Sequence, residues 1–258
     1  MSNITEELKF ECGWWLPKSE MHLPQMMRRI NCINKGRYSY QRAKLIAILS
    51  FMPDNKRKTV IDIGSNIGSW TYSLVDFFDF VHCFEPIKIH QDCWVKNLEG
   101  YSNVKLYPVA LGDEDEQVKM FVPDVCMAGA YITSPKNHAT DKPTEIYKNG
   151  TVIESITVKS LDNYNFESID FIKIDVEGYE LNVLKGAKET ILRNKPCILL
   201  EQKADNLYGV EFLEELGMSK MFSFDGDYFM GWCKLNEEEH TKSIRKMFGN
   251  SKMGLRIR

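Results

Sequence analysis

No apolar run in this chain approaches the roughly 20 residues that a membrane-spanning helix requires, so no span is expected. The opening residues Met-Ser-Asn-Ile-Thr-Glu-Glu lack the charged leader and apolar segment of a secretion signal, which makes the cytoplasm the expected compartment. Cysteine is scarce and unpaired. Seven residues, an odd number without C-x-x-C spacing, supply neither a disulfide framework nor a zinc site. Cys83 and Cys197 fall in apolar runs, where a cysteine is simplest as a small core residue. Positive charge is not in excess either: a net charge of −3 over 258 residues gives the whole chain no basic footprint for nucleic acid. The local exception is a basic tail over about 242–258, with Lys242, Arg245, Lys246, Lys252, Arg256 and Arg258, read as a solvated end. None of the five histidines lies in a motif described below, and His82 and His90 are read as structural.

Two further absences define the most informative segment, Thr59-Val-Ile-Asp-Ile-Gly-Ser-Asn-Ile-Gly-Ser-Trp70. A β-branched run, a glycine-bearing turn and helical spacing from Ile67 through Trp70, Leu74, Val75 and Phe78 make a strand, turn and helix corner of the kind that binds nucleotides. Yet Gly64-Ser-Asn-Ile-Gly68 is not the dinucleotide G-x-G-x-x-G, and it carries no Gly-Lys-Ser/Thr for polyphosphate. An acid before the turn, Asp62, suits a cation instead. A second acid, Glu85, ends the next strand-like run, where such folds place a carboxylate on ribose hydroxyls. The ligand that meets both demands is S-adenosylmethionine. Asp62 would hold its ammonium, directly or through water. Gly64, Ser65, Asn66 and Gly68 would bring backbone close to the methionyl part, and Glu85 would take the ribose diol. Ala110 and Leu111, after the third strand, would meet adenine.

Residues 1–57 read as an extension, with an aromatic segment of no clear period (Cys12-Gly-Trp-Trp-Leu-Pro17) and one helix placing Tyr38, Leu45, Ile46, Leu49 and Met52 on a face. Trp14 and Trp15 are assigned to core packing rather than to a flap over the ligand. Residues 58–258 form the main domain. Strands near 59–63, 81–84, 103–109, 169–174 and 196–202 alternate with helices near 67–78, 88–98, 180–192 and 206–216, the pattern of an α/β fold with helices on both faces of a parallel sheet. The stretch at about 117–159 breaks the rhythm and reads as an inserted hairpin with a long loop, a place for substrate specificity. Met218–Phe224 and Asp227–Cys233 flank an Asp-Gly turn.

Several segments occurring in order, Val60–Gly68, Phe84-Glu-Pro86, Asn103–Asp113, Leu161-Asp162, Asp170-Phe-Ile-Lys-Ile-Asp-Val-Glu-Gly-Tyr-Glu180 and Val183-Leu-Lys-Gly-Ala187, resemble the FkbM-type family of S-adenosylmethionine-dependent methyltransferases over roughly 58–233. The resemblance implies a Rossmann-like class I methyltransferase sheet of order 3-2-1-4-5-7-6 with its last strand antiparallel. It also implies transfer of a methyl group to a hydroxyl of a small-molecule or carbohydrate acceptor.

In-line displacement at a sulfonium methyl needs an aimed acceptor and, for a hydroxyl, a proton acceptor. Lys173-Ile-Asp175-Val-Glu177-Gly178 leaves the fourth strand beside the donor, so Asp175 and Glu177 are the leading candidates for the base. Asp175 is also a donor contact, and Glu201 at the next strand end ranks behind them. Lys173 and Asp175 share one side of the strand and read equally well as a salt bridge locking its end. No third carboxylate stands near Asp175 and Glu177 to complete a cation site, so no metal is expected. Ribose 2′-O-methylation of RNA is the alternative, built from Lys44 or Lys58, Asp175, Lys185 or Lys203, and Glu201. A donor-binding module without turnover is the other. Base methylation has no Asn/Asp-Pro-Pro-Tyr/Phe segment to support it.

Overall fold

The computed structural model describes residues 7–232 apart from 40, 54, 125, 134–148, 203–206 and 225. The basic tail, the middle of the insertion loop, Lys203 and Cys233 fall outside the described residues.

The extension holds β1 (Leu8–Glu11), β2 (Trp14–Pro17), α1 (His22–Ile30), β3 (Ile33–Asn34), β4 (Arg37–Tyr38) and α2 (Arg42–Phe51). The first five elements of the main domain are β5 (Thr59–Ile63), α3 (Ser69–Leu74), β6 (Phe80–Phe84), α4 (Lys88–Asn97) and β7 (Val104–Tyr107). A side sheet takes β8 (Ala110–Leu111), β9 (Glu116–Pro123), β10 (Tyr131–Ile132) and β11 (Gly150–Lys159). The remainder is β12 (Ile169–Ile174), α5 (Glu180–Lys185), α6 (Lys188–Asn194), β13 (Cys197–Glu201), α7 (Tyr208–Glu215), β14 (Ser219–Phe224) and β15 (Asp227–Gly231).

The main sheet runs β7-β6-β5-β12-β13-β15-β14. Its first five strands are parallel, and β15 is antiparallel to both neighbours. All six residues of β12 are buried because it is central and covered on both faces. The period of two divides its side chains: Val60 and Phe171 enter a core shared with α1 to α4, whereas Ile61, Ile63, Ile172 and Ile174 enter a second core under α5 to α7. The side sheet adds a third cluster, in which Val118, Met120, Ile132 and Val158 pack against Ile87 and Tyr179.

Three local details differ from the sequence-based expectation. The aromatic segment is a hairpin: Cys12 and Gly13, at φ of 55° and 85°, form the left-handed turn that joins β1 to β2. Trp14 is buried edge-on to Tyr72, and the Asn97 side chain both donates to and accepts from the Trp15 backbone. On α2 the buried face is Leu45, Ile48 and Leu49; Tyr38 lies on β4 and Ile46 points outward. The helix expected near 180–192 breaks at Gly186, whose carbonyl accepts from the Asp162 amide (2.9 Å) and the Ser160 hydroxyl (2.8 Å). The Asp162 carboxylate in turn caps the start of α6, accepting from the amides of Glu189 (3.1 Å) and Thr190 (2.8 Å).

Candidate active site

Parallel α/β sheets bind ligands beyond the carboxyl ends of the strands where strand order reverses. Here that place is between β5 and β12. A cleft of about 840 Å³, its mouth included, opens there. Of the residues expected to hold the ligand, Gly64, Ser65, Asn66, Glu85, Ala110, Leu111, Asp175 and Glu177 line it. Asp62, Gly68 and Glu201 do not.

Asp62 is the clearest correction. It is 0% exposed. As the fourth residue of β5 it shares the face of Val60, which α3 covers, rather than projecting off the strand end. Its Oδ2 accepts from the Thr71 hydroxyl at 2.7 Å, and its Oδ1 lies 3.3 Å from Lys173 Nζ. Asp62 and Lys173 are register partners on adjacent strands. The Lys173 ammonium, 2% exposed, also reaches Asp175 Oδ2 at 3.4 Å and donates to the Gly64 carbonyl at 2.8 Å. The Asp62–Lys173–Asp175 cluster thus fastens the first turn to the end of β12, and the ammonium expected of a ligand at Asp62 is supplied by the protein.

The two glycines are likewise required by the protein. Gly64 has φ of 73° and a Cβ there would collide with the Asp175 carbonyl oxygen; Gly68 has φ of 88° and would strike Leu98. The turn between them hangs from β6, where the amides of Gly64 and Ser65 donate to the Phe84 carbonyl at 3.0 and 3.1 Å. Left-handed Asn66 (φ 50°) and Gly68 delay the helix, so α3 begins at Ser69 rather than near 67.

Glu85 leaves the end of β6 with its carboxylate fixed: Oε2 accepts from the Asn66 amide and Oε1 from the Ile87 amide, both at 2.9 Å. His90, buried on α4, brings Nδ1 to 3.3 Å of Oε1 and itself lines the cleft. Sequence reasoning assigned His90 to structure alone; its i+5 spacing from Glu85 across a helix start was the available signal. Oε2, which carries one amide only, keeps a second lone pair for a donor in the cleft. Beside Glu85, Phe84, Ile87, Val109, Ala110 and Leu111 form an apolar slot. The Ser65 hydroxyl, buried at the same wall, has no hydrogen-bond partner among the described residues.

At the other end the cleft is anionic. Glu177 occupies the left-handed region (φ 52°) ahead of Gly178 (φ 91°), a turn whose Gly178 amide donates to Glu180 at 2.9 Å. Burial lifts the Glu180 carboxyl to about 7. Glu201 is exposed beside the cleft, and its carboxyl is held well above the usual range, above all by the Asp175 carboxylate. Its hydrogen bond to Asp175 favours the protonated form of Glu201. A residue that holds its proton is no base, which leaves Glu201 as a partner to Asp175. Asp227, its cross-strand neighbour on β15, is raised to about 6 by burial and ion-paired to Lys44 of α2.

Among the lysines enlisted for RNA, Lys44 is therefore engaged with Asp227. Lys58 stands at the opposite end of β5, its amide on Asp170, and Lys185 is exposed on α5. The described carboxylates close enough to share an ion are Asp113, Glu114 and Glu116, none of which lines the cleft. No described helix is long and apolar enough to cross a membrane.

A family model described as "Methyltransferase FkbM domain" matches residues 62–240. The 2-O-methyltransferase NoeI of Sinorhizobium fredii is 26% identical over 162 residues, covering 58% of this chain and 65% of that protein. Methyltransferase 1 of Beauveria bassiana is 22% identical over 178 residues, covering 62% and 72%. The chain thus spans just under two thirds of the first relative's length. Methyltransferase FkbM from Methylobacillus flagellatus superposes with a TM-score of 0.45 at 18% identity, over 68% of this chain and 43% of that one. The family match takes in more than half of the sequence, from the first turn through β15, and the chain belongs to the FkbM methyltransferase-domain family.

Proposed function

We propose that the cleft binds S-adenosylmethionine and that the protein transfers its methyl group to a hydroxyl of a small, uncharged acceptor such as a carbohydrate. The observation that carries this reading is the Glu85 carboxylate, held open to the cleft by two backbone amides between an apolar slot and an anionic end. Glu85 suits a ribose diol, the slot suits a purine, and the Ser65 hydroxyl is left for a polar ligand atom. Asp175 and Glu177 place negative charge where a sulfonium and an ammonium would lie, the task Asp62 cannot perform from inside the core. When bound, the donor supplies a methyl carbon already activated by its sulfonium.

The chain's own residues then position the acceptor and receive a proton. Like Glu177, Asp175 lines the cleft and stays in contact with solvent, its side chain 27% exposed and steadied by Lys173. It accepts the hydroxyl proton as the acceptor attacks, a contribution on the order of 100-fold or more in rate. Glu201, bonded to Asp175, keeps that carboxylate oriented. Asp175 and Glu177 give this rim a negative field that favours a neutral acceptor over a phosphate-bearing one. A relative named as a 2-O-methyltransferase is consistent with an oxygen acceptor.

The test incubates the full chain with methyl-labelled donor and fractionated glycans or, separately, single-stranded RNA. Labelling of a glycan fraction, reduced about 100-fold by Asp175→Asn while donor affinity stays within a few-fold, is expected. RNA held through about four phosphates would instead show a log-log salt slope near −3, and methyl transfer to RNA so bound would overturn the assignment.

A further inference from the structure

Glu20, between β2 and α1, is 1% exposed. Its Oε1 accepts from the Leu23 amide at 2.8 Å, at the start of α1. Its Oε2 accepts from the Ala128 amide at 3.3 Å, in the short 3-10 turn Met127–Gly129 of the insertion. Beside it the Ser19 hydroxyl donates to Met127 Sδ at 3.3 Å. Capping α1 needs only one carboxylate oxygen, and serine, threonine or asparagine does it without burying a charge. The second oxygen spans to a segment 108 residues away. Both amides belong to segments whose side chains, Leu23, Met127 and Ala128, line the cleft.

We propose that Glu20 is a positioning residue for the donor: it joins the N-terminal extension to the insertion, so that Leu23, Met127 and Ala128 stand as one apolar wall that governs how long a nucleoside thioether or sulfonium remains bound. The inference rests on the donor reading above and adds to it a role for two segments outside the strand-end motifs. An apolar wall is indifferent to the charge on sulfur. Loss of the joint therefore weakens S-adenosylmethionine and S-adenosylhomocysteine alike, whereas loss of the Asp175 charge weakens the sulfonium form selectively.

Glu20→Gln keeps the shape and one oxygen for Leu23 but turns an amide NH₂ toward the Ala128 N–H. In the full chain, release of S-adenosylhomocysteine is followed by stopped-flow fluorescence of Trp70, which lines the cleft. The release rate is expected to rise about tenfold or more, the equivalent of one charge-assisted hydrogen bond, with the same loss for S-adenosylmethionine. Amide exchange of the ligand-free protein is expected to quicken across 126–132. If Glu20→Gln does not fold, Glu20→Asp, which keeps the charge but shortens the reach to Ala128, is measured in the same way. Wild-type release rates, or unchanged exchange across 126–132, would overturn the proposal. So would a lowered melting temperature with unaltered release, because the joint would then be structural only. Failure of the wild-type chain to bind either nucleoside is a separate result, which removes the donor reading itself, while the ligand-free exchange still reports on the joint.

Discussion

Replacing Glu180 by glutamine should stabilise the protein, and increasingly so as pH rises. Glu180 sits under the turn that presents Glu177, buried and hydrogen-bonded by the Gly178 amide. Burial, partly offset by backbone amides, raises its carboxyl from 4.5 to about 7. Between those values the native protein holds a proton that the unfolded chain has released, so stability falls as pH climbs through the window. The loss is complete above about pH 7. The span is worth at most about 3 kcal/mol. Glutamine keeps the acceptor for Gly178 without a proton to lose. Urea unfolding of both proteins at intervals from pH 4.5 to 8 isolates Glu180, because Glu201 and Asp227, which are raised in the same direction, contribute equally to each. The variant's advantage should grow from near zero to about 3 kcal/mol across the series. A pH-independent offset would show that Glu180 ionises normally and that the turn is open to water.

Glu85→Ala should weaken S-adenosylmethionine binding at least about tenfold by calorimetry, through the loss of charged hydrogen bonds to two hydroxyls; unchanged affinity in a folded variant removes Glu85 from the donor site. Lys173→Met leaves the buried Asp62 without its cation and should cost about 3–5 kcal/mol in denaturant unfolding. Asp62→Asn combined with it should recover much of that loss, and additive losses in the double variant would mean that the pair is not coupled.

Much of the site could be read from short-range pattern. The β5–α3 corner is continuous in sequence, and its β-branched run followed by Gly64 and Gly68 placed the turn correctly. Glu85 lies at the end of β6, where the apolar run stops. The run Lys173–Gly178 placed Asp175 and Glu177 at the cleft because strand alternation and a glycine turn are local rules. Trp14 and Trp15 were assigned together to core packing; Trp14 is fully buried, and Trp15 is partly buried against the same core.

What the sequence by itself determined was where strands end, because the signals for ending a strand lie within a few residues of one another. Which of those ends faces a ligand and which faces protein was decided by packing. Asp62 looked like a ligand group until α3 covered its face of β5 and Lys173, distant in sequence, reached it. The helix near 180–192 broke because Ser160 and Asp162 captured the Gly186 carbonyl. His90, Leu23 and Met127 line the cleft only because α4, the extension and the insertion converge on it. Burial and the pairing of charges depend on segments that are far apart in the chain and meet only when the cores close, and no local periodicity records that meeting.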